Sequence, residues 1–168
     1  CELIDFLRFN VAFGRQLLTE QPVSSPGVWN RMDHRPLEGF VLAITPFNFT
    51  AIVANLPLAP ALMGNPVVWK PSPTQQYAAH FTMRLLEAAG LPPGVINLVT
   101  GFGAASAVAL EHPALAGIHF TGSTAAFQHL WQQVGVNISR WRTHHPPVGR
   151  AGAPAVRPAT SSRQVVSP

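Results

Sequence analysis

The amino-acid sequence predicts an α/β fold in which a parallel β-sheet is covered by helices on both faces. The first observation is a set of short, continuously apolar runs, which is typical of strands buried on both sides. The second is that segments of helical length separate these runs, a rhythm that favours parallel strands joined by helical crossovers. The third is that Gly and Pro mark the turns. The apolar runs are Gly39–Thr45, Pro66–Trp69, Val95–Val99 and Gly117–Phe120.

The part of the chain before the second strand predicts a helix, a loop region, a strand and another helix. Residues 2–18 carry apolar side chains near helical spacing and predict the first helix. Residues 21–36 contain three prolines, so they predict a loop or irregular β structure. Residues 51–63 have the length and apolar character of a helix but contain two prolines. Because proline removes a backbone donor, we expect a kink there or two short pieces.

Each later strand leads into a helix. After the second strand, Ser72 or Thr74 is predicted to cap a helix that has Pro73 in its first turn. Shorter helices are predicted after the third and fourth strands. The predicted helices are 72–89, 104–111 and 125–137.

The positive charge of the chain is concentrated at its C-terminal end. The net charge is +4, yet residues 1–139 hold six Lys or Arg against seven Asp or Glu. The last 29 residues contain five arginines and no acidic residue. Residues 143–168 also show no helical or strand period, so we predict a disordered tail. His144 and His145 in this tail are interpreted as solvated, not as metal ligands, because no Cys or carboxylate stands close by.

Polar side chains follow two of the predicted strands. Asn48 comes just after the first strand, and Lys70 ends the second. In open α/β sheets, ligands bind outside the carboxyl ends of the strands. Gly122 and Ser123 stand where the fourth strand gives way to a helix, and backbone N–H groups at a helix N-terminus favour a pyrophosphate. The sequence therefore predicts a ligand site at this edge of the sheet.

Three motifs carry a resemblance to a known family. Pro46–Thr50 (Pro-Phe-Asn-Phe-Thr), Trp69–Ser72 (Trp-Lys-Pro-Ser) and Phe120–Ser123 (Phe-Thr-Gly-Ser) occur in the order and approximate spacing of the aldehyde dehydrogenase superfamily. The segments Cys1–Phe6 and Leu37–Phe40 resemble its pyrroline-5-carboxylate dehydrogenase branch. The resemblance extends from Cys1 to about Arg142.

The resemblance implies a division of the chain and a role for seven residues. Residues 1–142 resemble part of a Rossmann-like NAD-binding domain, and 143–168 form the tail. Asn48 would be the oxyanion donor, which gives it a catalytic role. The substrate-binding residues implied are Glu2 and Phe49, and the cofactor-binding residues are Lys70, Ser72, Gly122 and Ser123.

Each of these residues also has a purely structural interpretation. Asn48 could cap the following helix, Ser123 could be an ordinary N-cap, and Glu2 and Lys70 could be solvated charges. The family often has a carboxylate at the position of Pro73, where it accepts a hydrogen bond from the ribose 2′-hydroxyl. NAD is the cofactor that the branch implies, and NADP stays the alternative.

The function implied for a full-length enzyme is NAD-dependent oxidation of L-glutamate γ-semialdehyde to glutamate in proline catabolism. The chain begins within a helical pattern, and we interpret it as a fragment without the family's catalytic cysteine and glutamate. Cys1 is predicted to be a small buried residue, not the nucleophile. We therefore expect little or no activity from this chain alone. The alternatives are a non-catalytic dinucleotide-binding fragment or remnant, and an aldehyde dehydrogenase of other specificity.

The expected partner is a small-molecule aldehyde, with no nucleic acid and no membrane. No apolar run reaches the ~18–20 residues of a membrane span. Full-length relatives form homo-oligomers, and we expect this fragment to lack the oligomerisation region. The expected location is the cytoplasm, with the mitochondrial matrix as the alternative in a eukaryote.

Overall fold

The structure is a computed structural model that describes residues 1–142, 148–151 and 162–165. The predictions for His144, His145 and the rest of the tail fall outside these residues. The elements run in the order α1 (Glu2–Thr19), β1 (Arg31–His34), β2 (Phe40–Thr45), α2 (Thr50–Leu62), β3 (Val67–Pro71), a 3-10 turn (Pro73–Gln75), α3 (Gln76–Ala88), β4 (Ile96–Leu98), α4 (Gly103–Leu110), β5 (Leu115–Gly122), α5 (Thr124–Val136), β6 (Val148–Ala151) and β7 (Ser162–Val165).

Five strands form one parallel sheet in the order β4-β3-β2-β5-β6. The four apolar runs predicted β2 to β5, and β6 adds a fifth strand beside β5. The chain builds outward from β2 to β3 and β4, and then crosses back through α4 to β5 on the other side of β2. The strand order therefore reverses between β2 and β5. A reversal of this kind opens a crevice at the carboxyl ends of the strands, where ligands bind in open α/β sheets.

Each face of the sheet has its own hydrophobic core. Alternate side chains of β2 and β3 pack with α2 and α3 on one face, and the intervening residues of β2 and β5 pack with α4 and α5 on the other. Trp69 and Leu42 are the largest fully buried side chains of the first and second core respectively. Helices thus cover both faces of the sheet, as predicted. Each strand contributes to both cores because its side chains alternate between the two faces.

Helix α2 is one uninterrupted helix despite Pro57 and Pro60, so the alternative of two short pieces is not adopted. Pro60 has no N–H to donate to the carbonyl of Leu56, four residues earlier. The side chain of His119 on β5 takes this role, with Nδ1 donating to the Leu56 oxygen at 2.9 Å. A residue 63 positions away thus satisfies the carbonyl that the proline leaves open.

The position of His119 predicts that stability depends on pH. Burial lowers the pKa of His119 below its usual value, and the hydrogen bond to Leu56 opposes this shift only in part. The unfolded chain therefore binds a proton more readily than the folded chain. Stability should be fully present above the unfolded pKa of about 6.5 and fall as the pH drops towards the lower folded pKa, by at most ~1.4 kcal/mol per pH unit.

Urea unfolding between pH 5 and 8 checks this prediction. We expect the midpoint of the wild-type chain to fall on acidification. His119→Asn keeps a donor but cannot titrate, so its profile should be flatter. His80→Asn, at an exposed position on α3, should follow the wild type. Parallel profiles for wild type and His119→Asn would contradict the assignment.

Two local expectations are wrong. Neither Ser72 nor Thr74 makes a capping hydrogen bond, because a 3-10 turn beginning at Pro73 stands before α3, and their hydroxyls lie 3.3 Å from each other. Cys1 is exposed, since it precedes the first turn of α1. Within the tail, the backbones of β6 and β7 pair with β5 and β1. Strand pairing uses backbone groups, so it does not need an apolar pattern.

Within the described residues, none of the helices combines the length and apolar character needed to span a membrane.

Candidate functional site

Lys70 is the only lysine of the chain, and it lies on β3 with 8% of its surface exposed. No ion pair or side-chain hydrogen bond reaches its ammonium from the described part of the chain. Burial lowers the pKa of Lys70 below its usual value. Partial loss of hydration without a partner costs a cation free energy, so such a group is a strong candidate for contact with a ligand.

The ends of β2 and β3 are tied together beside Lys70. The indole Nε1 of Trp69 donates to Thr45 Oγ1 at 3.0 Å, and both side chains are buried. The backbone N–H of Ser72 donates to the Thr45 carbonyl at 3.0 Å. These bonds fix the relative position of the strand end that carries Lys70 and the strand end that leads to Asn48.

A cavity of about 550 Å³ opens next to Lys70, between α4 and α5. This volume is typical of small-molecule sites, which hold 300–1,000 Å³. Its floor comes from strand residues and its walls from the two helices. The lining residues are Ile44, Lys70, Gly103, Ala104, Ser106, Ala107, Leu110, Phe120, Ala126, His129, Leu130 and Gln133.

Gly122 and Ser123 lie where β5 turns into α5, between Phe120 and Ala126, which both line the cavity. Ser123 is the N-cap of α5, and its Oγ accepts a hydrogen bond from the N–H of Ala126 at 3.3 Å. The ordinary N-cap role is thus present, and it is compatible with an anion at the same helix end. A Cβ on Gly122 would lie 2.5 Å from the ring of Phe120, which lines the cavity. An added Cβ would therefore require the Phe120 ring to move.

Asn48 lies on the exposed loop between β2 and α2. The N-cap of α2 is Phe49, and no side chain caps this helix, so the capping alternative for Asn48 is not adopted. The Asn48 amide makes no side-chain hydrogen bond within the described residues. Asn48 and Phe49 do not line the cavity at Lys70; they lie further along the same edge of the sheet.

Glu2 is exposed in the first turn of α1. Asn10 Nδ2 donates to Asn55 Oδ1 at 2.7 Å, and Gly14 packs further along against Leu62. Helices α1 and α2 therefore lie side by side and run in the same direction. The end of α1 that carries Glu2 points towards the start of α2, which follows Asn48.

Sequence reasoning missed the two helical walls of the cavity. Ser106 is a polar residue in an otherwise apolar helix, and His129 and Gln133 stand four residues apart on α5. That spacing places both polar side chains on one face of the helix, and this pattern could have indicated a ligand-facing surface.

The fold and the site together define an α/β domain whose ligand crevice lies at the carboxyl edge of a parallel sheet, the class that includes dinucleotide-binding domains. Residues 1–143 match the model of the aldehyde dehydrogenase family, and the chain therefore belongs to this family.

The solved structures and curated proteins that this chain resembles include pyrroline-5-carboxylate dehydrogenases. A crystal structure of the Delta-pyrroline-5-carboxylate dehydrogenase from Mycobacterium tuberculosis is 70% identical with a TM-score of 0.88, over 90% of this chain and 28% of that one. The same enzyme bound with NAD is 71% identical with a TM-score of 0.87, over 90% and 29%. The mitochondrial delta-1-pyrroline-5-carboxylate dehydrogenase of Bos taurus is 51% identical, over 90% and 27%. This chain thus spans under a third of these relatives.

Proposed function

We propose that this chain is the dinucleotide-binding part of an NAD-dependent dehydrogenase that oxidises L-glutamate γ-semialdehyde to glutamate in proline catabolism. The observation that carries the proposal is that Lys70 is mostly buried, has no partner for its ammonium within the described residues, and lines the cavity between α4 and α5. The similarity to enzymes named for pyrroline-5-carboxylate supports the substrate, and a relative bound with NAD supports the cofactor.

Four residues would hold the dinucleotide. Lys70 donates to the hydroxyls of the adenosine ribose, and Ser72, two residues later, adds a hydroxyl contact. Gly122 and Ser123 offer the N-terminus of α5 to the pyrophosphate. The apolar cavity then takes the adenine base, since its volume and lining suit a flat aromatic ring. Bound NAD supplies the acceptor for the hydride that leaves the substrate.

Asn48 would act at the aldehyde. A nucleophilic attack on the carbonyl creates an oxyanion, and an amide N–H aimed at that oxygen stabilises the developing charge. The exposed, unpaired amide of Asn48 supports this role. Phe49 would form part of the wall of the substrate channel, and the Glu2 carboxylate would complement the ammonium of the amino-acid aldehyde.

Pro73 bears on the choice between NAD and NADP. It occupies the start of the 3-10 turn after β3, where it offers no carboxylate to a ribose 2′-hydroxyl. The NAD-bound relative, at 71% identity, favours NAD.

The proposed location is the cytoplasm, as expected for a protein similar to a bacterial enzyme. The mitochondrial matrix is the alternative for a eukaryotic source, because several relatives carry that location in their names. A small-molecule aldehyde is the proposed partner of the whole enzyme.

Calorimetric titration of the purified chain with NAD tests the proposal. We expect saturable binding, without NADH formation when the aldehyde is added, because the single cysteine is the exposed Cys1. Lys70→Ala should weaken NAD binding about 10- to 100-fold, since hydrogen bonds to a charged group contribute ~1.5–3 kcal/mol. Arg84→Ala is the matched control, because Arg84 is exposed on α3 and paired with Glu87.

Equal affinities of wild type and Lys70→Ala would contradict the assigned role of Lys70. No saturable binding by a chain that unfolds cooperatively would overturn the proposed function.

A further inference from the structure

The cavity between α4 and α5 has uncharged polar groups on its walls that the proposed contacts with ribose and pyrophosphate do not use. Ser106 on α4 is buried and Gln133 on α5 is half-buried. Neither side chain has a hydrogen-bond partner within the described residues, and the polar atoms of neither are fully buried. Both residues line the cavity. These groups therefore face the space that a ligand would fill.

Helix α5 starts at the proposed pyrophosphate site, and Gln133 lies farther along this helix. Ser123 caps the start of α5 at the carboxyl edge of the sheet, and α5 runs back over the second core. Gln133 lies ten residues later, which is about 15 Å along the helix axis. Side chains of a helix tilt towards its N-terminus, so the Gln133 amide points back towards Lys70.

We infer that Gln133 reads the hydrogen-bonding edge of the adenine base, so that the site selects the base as well as the ribose and the phosphates. The inference rests on the proposed function, because it assigns a further role within the same cavity. A side-chain amide has two donors and one acceptor. It can pair at once with the amino group of adenine and the adjacent ring nitrogen, the pairing by which Gln and Asn recognise adenine in DNA. The Ser106 hydroxyl lies on the opposite wall and limits how the base can turn.

A cycle of two proteins and two ligands, measured by calorimetry, tests this inference. Wild type and Gln133→Leu are each titrated with NAD and with 1,N6-etheno-NAD, in which a two-carbon bridge blocks the amino edge of the base. We expect Gln133→Leu to bind NAD about 30-fold more weakly, the effect of two neutral hydrogen bonds. The preference of the wild type for NAD over the etheno analogue should shrink about fivefold in the variant, because the etheno bridge removes the bond to the amino group.

Two variants serve as controls. Gln132→Leu makes the same chemical change at an exposed position of α5 that does not line the cavity, and it should bind both ligands like the wild type. Lys70→Ala should weaken both ligands by the same factor, because Lys70 is assigned to the ribose and not to the base.

The outcomes separate the two proposals. If wild type binds NAD and Lys70→Ala weakens it, but Gln133→Leu shows the same ligand preference as wild type, the reading of the base by Gln133 is overturned and the proposed function stands. A steric penalty for the etheno bridge would appear equally in both proteins and would also overturn it. If the wild-type chain does not bind NAD, both proposals fall.

Discussion

Gly39→Ala is expected to destabilise the chain by more than 3 kcal/mol. Gly39 has φ +125°, a conformation that costs about 1–3 kcal/mol for residues with a Cβ. A Cβ at this position would also lie 2.1 Å from the carbonyl oxygen of Ala114. That oxygen accepts the backbone N–H of Phe40 at 2.9 Å, a bond at the start of the β2–β5 pairing. The methyl group therefore cannot be accommodated without separating these two strands.

Urea or thermal unfolding measures this effect. Natural domains are stable by only about 5–15 kcal/mol, so Gly39→Ala removes a large share of the stability of the chain. Gly27→Ala provides a second measurement of the cost of a Cβ at positive φ. Gly27 has φ +81°, and no atom lies within 4 Å of the place where a Cβ would be added. It should show the backbone cost alone, about 1–3 kcal/mol. A similar loss in both variants would mean that contact with Ala114 is not important.

The carboxyl-edge residues of the site could be located from the sequence. The ends of continuous apolar runs are visible in one dimension, and Asn48 and Lys70 follow two such ends. Parallel pairing then brings these ends to one edge, since the register sets Ile44 beside Lys70. The location of Gly122 and Ser123 could be predicted in the same way, because a strand that passes directly into a helix places the helix N-terminus at that edge.

The walls of the cavity could not be predicted in this way. Which face of α4 meets which face of α5 depends on packing against the sheet, and local periodicity does not encode that contact. Ser106 and Gln133 face one cavity although they are far apart in sequence. The continuity of α2 was hidden for a similar reason, because the donor that satisfies the Leu56 carbonyl is His119 on another strand. Long-range partners of this kind override a local signal such as proline.

Trp69→Ala is expected to cost about 3–5 kcal/mol in the free energy of unfolding, the range measured for large aromatic residues in protein cores. Trp69 is fully buried and forms part of the core between the sheet and helices α2 and α3. Its loss leaves a cavity beneath the strand that carries Lys70. Denaturant unfolding of wild type and variant gives the difference directly, with Leu85→Ala, at an exposed position on α3, as control.

The hydrogen bond between Trp69 and Thr45 can be separated from the packing of the indole ring. Thr45→Val leaves the indole N–H buried without an acceptor, which should cost about 1–3 kcal/mol. Trp69→Phe leaves the Thr45 hydroxyl unpaired in turn. In the double variant both polar groups are gone, so its loss should be smaller than the sum of the two single losses by at least ~0.5 kcal/mol. Additive losses would mean that the backbone bond from Ser72 to Thr45, with strand pairing, is sufficient to hold the ends of β2 and β3 together. Coupled losses would show that the side-chain bond contributes to holding together the strand ends that present Asn48 and Lys70.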